Sequence, residues 1–117
     1  RDRGAVEMAT ANAARTGVNE NIQFACHAIS DLPAYEKPGF VITNPPYGMR
    51  IASSKDLRNL YASFGKILLE RFPGWKAGIL CSEDALIAAL DLGPAQKTVH
   101  LINGGIPVKF SIFSIPK

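Results

Sequence analysis

The sequence predicts an α/β fold: a mostly parallel sheet covered by helices and finished by an antiparallel hairpin. Three observations carry that expectation. Continuous apolar runs of strand length, "FVITN" and "KAGILCS", have the character of strands buried on both faces. Between them lies a longer stretch with apolar residues at helical spacing. Near the end, "KTVHLI" and "PVKFSIFSI" flank "NGG", a strong hairpin signal.

In chain order, "DRGAVEMATANAARTGV" reads as a helix with Asp2 as N-cap and Gly17 as its stop. "NIQFACHA" is short, apolar and β-prone, and reads as a strand. "ISDLPAYEKPG" is a loop with two prolines. "SSKDLRNLYASFGKILLERF" is an amphipathic helix with Leu57, Leu60, Tyr61, Phe64, Ile67 and Leu68 on one face. Ser53 and Asp56 have the spacing of a capping box, and Pro73-Gly74 closes the helix. "SEDALIAAL" predicts a short helix with Ser82 at its N-cap. In the last strand Val108, Phe110 and Ile112 alternate with Lys109 and Ser111, which predicts one wetter face.

The 117 residues make one domain or a piece of one. An apolar fraction of 47% is enough for a packed core and excludes a disordered chain. A net charge of +3, with no dense Lys/Arg run, permits an anionic partner without demanding one. Cys26 and Cys81 stand far apart, outside any CxxC pair, and read as reduced core thiols of a cytoplasmic protein. No metal site is expected. No apolar run reaches the length of a membrane span. The charged start "RDRGAVEM" reads as the inside of a longer protein.

The strand "FVIT" runs into Asn44-Pro45-Pro46-Tyr47, at the carboxyl end where ligands bind in such sheets. Both prolines have fixed φ and no N–H. The carbonyls of Asn44 and Pro45, with the Asn44 side-chain oxygen, therefore form a set of acceptors without competing donors, and Tyr47 offers a flat face. Acceptors beside an aromatic plate suit a planar heterocycle with an exocyclic amine, flipped out of a duplex or single-stranded. The plainer reading is a rigid strand-to-helix turn, but the buried strand before it and Gly48 after it favour the amine.

"NPPY" resembles the (Asn/Asp/Ser)-Pro-Pro-(Tyr/Phe) motif of S-adenosylmethionine-dependent amino-methyltransferases. "TNPPYGMR" resembles the pattern of the bacterial ribosomal RNA guanine-N2 methyltransferases, whose fuller members carry a THUMP RNA-binding domain and many of which were once labelled N6-adenine DNA methylases. "FGKILLERFPGWKAGILCSEDALIAALDLGPAQKTVHLINGG" and "DRGAVEMATANAARTGV" resemble the same family's segments, so the likeness covers nearly the whole chain.

That resemblance implies a Rossmann-like class I methyltransferase sheet, with residues 1–117 forming its C-terminal, substrate-side portion and the first two strands missing. It implies S-adenosyl-L-methionine as methyl donor and a guanine N2 of large-subunit ribosomal RNA as acceptor. Asn44, Pro45, Pro46 and Tyr47 would form the catalytic elbow, with Tyr47, Gly48 and Arg50 on the substrate side. Arg50 reads equally as a phosphate contact or a solvated loop arginine. The glycine-rich cofactor loop and the ribose-binding acid of the family would lie before Arg1. Near the cofactor adenine, Asp31 is the substitute acid, or else a cap of its loop turn; Asn44 would also border the cofactor. His27 reads as a strand-end surface residue and His100 as a strand residue. Leaving "FVIT" unpaired on one side would expose an apolar edge. The chain is therefore expected to be a fragment, or to pair with another chain or with its N-terminal portion, and to be inactive alone. An adenine-N6 DNA methyltransferase and a non-catalytic RNA-binding domain are the alternatives.

Overall fold

The computed structural model describes residues 2–18, 20–32, 35–46 and 54–117. The chain divides into two units, residues 1–33 and 34–117.

The first unit is built on α1 (Arg3–Thr16). Asp2 sits in extended backbone, and its Oδ1 accepts a 3.0 Å bond from the Ala5 N–H. Gly17 takes φ 79°, so its N–H and that of Val18 reach the carbonyls of Ala14 and Ala13. Both ends of the helix thus follow the caps legible in the sequence. The expected strand "NIQFACHA" does not form: residues 22–28 have no ladder partner among the described residues. A strand needs a neighbour for its N–H and C=O groups, and an apolar β-prone segment without one stays irregular. Cys26 is accordingly only half-buried, and not a core thiol. A single 3₁₀ turn, Ile29–Asp31, follows.

The second unit holds the sheet: β1 (Phe40–Thr43), β2 (Lys76–Cys81), β3 (Lys97–Asn103) and β4 (Ile106–Ser114), in the order β1-β2-β4-β3. β1 and β2 run parallel, joined through α2 (Ser54–Arg71); β4 pairs antiparallel with both β2 and β3. The hairpin folds back so that β4, its longer and more apolar strand, takes the inner position. Its two-residue turn is Gly104-Gly105, at φ 58° and 82°, the pair of positive angles a type I′ turn requires.

One face of the sheet is closed. Ala77, Ile79 and Cys81 of β2 and Phe113 and Ile115 at the end of β4 are buried with Leu57, Tyr61, Leu68 and Phe72 of the α2 segment and with Leu86 and Leu90 of α3 (Asp84–Ala89) and its end. Ser111 is buried on this face too, so the expected wet side of β4 is wet only toward Lys109, which is half-exposed and paired to Asp84 at 2.7 Å. The helical stripe is 57-61-65-68-72. Leu60, one residue off that line, is 46% exposed instead of buried.

β1 departs from its expected burial. Phe40 and Ile42 are 44% and 68% exposed. Among the described residues β1 has β2 on one side only, so it is an edge strand, and an apolar edge is the outcome expected for an unpaired "FVIT". Where β1 and β2 begin, Tyr35, Phe72 and Trp75 cluster, with Phe72 and Trp75 edge to face at 5.0 Å. Pro73 and Gly74, the latter at φ 81°, make a type II turn closed by the Trp75 N–H on the Phe72 carbonyl, the stop expected after α2.

The start of α3 also differs from expectation. Glu83, not Ser82, is the N-cap residue, and its side chain makes no cap bond. The Glu83 N–H points toward Cys81 Sγ at 3.5 Å.

Candidate active site

β1 stops at Thr43, opposite Ile79, while β2 runs on through Leu80 and Cys81. Pro45 and Pro46 have no N–H to continue the ladder, so the chain must leave the sheet there. Asn44 and Pro46 are exposed and Pro45 is half-buried. Among the described residues no hydrogen-bond partner meets the Asn44 side chain. An acceptor oxygen thus stands in solvent at the carboxyl end of a parallel strand, where an α/β sheet binds its ligands. Tyr47, Gly48 and Arg50, and Ser53 of the expected capping box, lie outside the described residues.

The third residue of the elbow is tied down. The Tyr61 hydroxyl donates a 3.0 Å hydrogen bond to the Pro46 carbonyl and lies 3.4 Å from Cys81 Sγ. Tyr61 is 1% exposed, within the buried stripe of α2. The amphipathic pattern of α2 marks this residue only as apolar surface. The signal was present nonetheless: a tyrosine at a fully buried helix position needs a partner for its hydroxyl, where leucine would fill the space without one. The Tyr61 bond takes none of the acceptors that the sequence suggests. The Asn44 side-chain oxygen and the first two carbonyls remain for a ligand, and the Pro46 carbonyl is engaged by the protein.

Of the other candidates, Asp31 is exposed on the 3₁₀ turn of the first unit. His27 is exposed in the irregular segment, and His100 is exposed on β3 opposite Lys109. A surface depression lined by Tyr35, Glu36, Pro38, Glu70 and Trp75 lies at the amino ends of β1 and β2, the opposite end of the strands from Asn44. A second depression lies between α3 and the hairpin, lined by Asp84, Ile87, Thr98, Lys109 and Ser111. Neither is lined by the elbow.

Comparison with known proteins shows the family. The family model described as RMKL-like, methyltransferase domain, matches residues 1–112. The chain is 39% identical over 112 residues to the ribosomal RNA large subunit methyltransferase K/L of Shewanella oneidensis, and 36% identical over 110 residues to that of Shewanella frigidimarina. Each match covers 94% of this chain and 15% of the relative, so the chain spans about one seventh of the length of these curated relatives. Among solved structures, a protein described as a methyltransferase and complexed with SAH superposes with a TM-score of 0.86 at 26% identity, over 99% of this chain and 30% of that one. A protein described as an N6-adenine-specific DNA methylase, from Listeria monocytogenes, gives 0.77 at 27% identity, over 98% of this chain and 29% of that one. With the family model matching almost end to end, the chain belongs to the RMKL-like methyltransferase domain family.

Proposed function

We propose that this chain is the substrate-side portion of an S-adenosyl-L-methionine-dependent methyltransferase domain acting on an exocyclic guanine N2 amine of large-subunit ribosomal RNA. The observation that carries the reading is Asn44: a solvent-facing amide at the carboxyl end of β1, followed by two residues without N–H donors. The names of the curated relatives support ribosomal RNA as the substrate class.

When bound, S-adenosyl-L-methionine supplies an electrophilic methyl group. The residues present fit the other reactant. The Asn44 side-chain oxygen and the Pro45 carbonyl accept the two hydrogens of the amine, which aims its lone pair away from them. Tyr47 stacks on the base, Gly48 leaves room behind that ring, and Arg50 meets an RNA phosphate. Asp31 is the acid we assign to the adenine end of the cofactor. The work asked of these residues is positioning, a contribution that accounts for much of the rate when two bound reactants must meet in line. The apolar edge of β1 is suited to a further strand from the rest of a longer protein or from another chain. A THUMP-type RNA-binding segment elsewhere in that protein, and work in the cytoplasm, complete the reading.

The test is methyl transfer by the full-length protein to undermethylated ribosomal RNA, followed by nucleoside analysis. N2-methylguanosine is expected. N6-methyladenine without N2-methylguanosine would overturn the reading in favour of the adenine enzyme that the Listeria monocytogenes neighbour is described as. The isolated 117-residue chain is expected to bind S-adenosylhomocysteine more weakly than micromolar in calorimetric titration, since the strand and loop that hold this ligand in the family's pattern are not among its residues. A micromolar constant for the isolated chain would sink the assignment of this segment to the substrate side.

A further inference from the structure

We infer that Tyr61 is the positioning residue of the elbow: its hydroxyl, held inside the protein by α2, fixes the Pro46 carbonyl and thereby the aim of the two acceptors before it. The inference rests on the amine-binding reading above and assigns a role to a residue outside the Asn-Pro-Pro-Tyr stretch.

Proline locks φ at both Pro45 and Pro46. The freedom left between Asn44 and residue 47 lies mainly in the ψ angles of those two residues. A carbonyl and the amide after it are one rigid plane. With β1 holding the chain before Asn44, pinning the Pro46 oxygen at 3.0 Å from the Tyr61 hydroxyl restrains the two ψ angles together, and ψ of Pro45 sets where the Pro45 carbonyl points. The anchor is itself rigid. Tyr61 is 1% exposed, its ring lies in the buried stripe of α2, and its oxygen is a further 3.4 Å from Cys81 Sγ at the end of β2. The exposed elbow is thus referenced to α2, which follows it in the chain, and to the end of β2. A tyrosine hydroxyl has one hydrogen, and the Pro46 carbonyl is a stronger acceptor than the Cys81 sulfur.

A residue that only fills the core would serve as well in the form of phenylalanine. Tyr61→Phe keeps the ring and removes the hydroxyl alone. In the full-length protein it is expected to lower the single-turnover rate of methyl transfer to undermethylated ribosomal RNA by about tenfold, the worth of one well-placed hydrogen bond. The dissociation constant for S-adenosylhomocysteine stays within twofold. Ile79→Val, a packing change at a residue fully buried in β2, is the control. It lowers the melting temperature and leaves the rate as it was. A folded Tyr61→Phe protein with the wild-type rate overturns the inference, as does a loss of rate that Ile79→Val reproduces at equal loss of stability. If Tyr61→Phe does not fold, a ring-fluorinated tyrosine placed at position 61 keeps the shape and acidifies the phenol. The rate should then fall at a lower pH than in wild type, as the donor hydrogen is lost, and an unchanged pH profile overturns the inference. A wild-type protein that puts no methyl on a guanine N2 removes the proposed function, and this inference with it. A wild type that does, beside a Tyr61→Phe protein of equal rate, removes only the inference.

Discussion

Asn44→Ala in the full-length protein is expected to reduce the single-turnover rate of methyl transfer by about 10²–10³-fold, the usual consequence of deleting one preorganised polar contact at a reacting centre. The affinity for S-adenosylhomocysteine should change by less than about twofold and the melting temperature should barely move. The stability expectation follows from exposure. The Asn44 side chain stands in solvent, and among the described residues nothing accepts from it or donates to it. Substitutions at such positions fall within about 0.5 kcal/mol. The kinetic expectation follows from chemistry. An amine whose hydrogens both find acceptors is held with its lone pair in one direction, and losing one acceptor lets the nitrogen rotate out of line. Rate, cofactor affinity and stability are separate readouts, and their pattern decides the matter. Equal losses of rate and cofactor binding would show that the elbow is a structural turn. An unchanged rate would show that the amine is held elsewhere.

The end of β1 was legible in the sequence because what sets it is local. Two consecutive prolines after a short apolar run fix where the strand must stop, and asparagine before them places an oxygen at the strand's end. The caps of α1, the Pro73-Gly74 turn and the glycine hairpin were legible for the same reason: each depends on the φ preference of one or two residues. What the sequence hid was set at longer range. Residues 22–28 have strand composition, but a strand also needs a neighbour, and composition does not report one. "FVIT" has the look of a central strand, yet among the described residues it lies at the sheet edge, because burial depends on what lies beside it. Ser82 has the residue type of a cap for α3, yet Glu83 takes that place, with its N–H toward Cys81 Sγ. Tyr61 was the most instructive case. Helical periodicity placed its ring correctly in the core but is silent about a hydroxyl, whose partner lies 15 residues back along the chain.

Gly65→Ala is expected to destabilise the protein by about 3 kcal/mol or more, at the upper end of overpacking effects. Helix propensity alone argues the opposite. Within α2 alanine should gain about 1 kcal/mol over glycine. The contact decides the sign. A Cβ built on Gly65 would lie 1.9 Å from the Leu90 carbonyl oxygen and 2.8 Å from its carbon. Those are backbone atoms at the end of α3, with no rotamer to change. Leu90 is itself 1% exposed, and its N–H is bonded to Ile87, so it can yield only by unravelling the last turn of α3 or by moving α2 outward. Gly78→Ala is the instructive comparison. Its Cβ would come within 2.4 Å of Phe110 Cζ and 3.0 Å of Phe40 Cε1, but these are ring edges of side chains, and Phe40 is 44% exposed. They can swing aside, so the cost there should be nearer about 1 kcal/mol. Denaturant midpoints of the two variants measure the difference, and a Gly65→Ala protein as stable as wild type would contradict the close approach of the two helices. That approach bears on the site as well as on the fold. Tyr61 precedes Gly65 by one helical turn on the same buried stripe, and its hydroxyl meets the Pro46 carbonyl at 3.0 Å. A residue without a Cβ at position 65 lets α2 sit deep enough for that hydroxyl to reach the elbow.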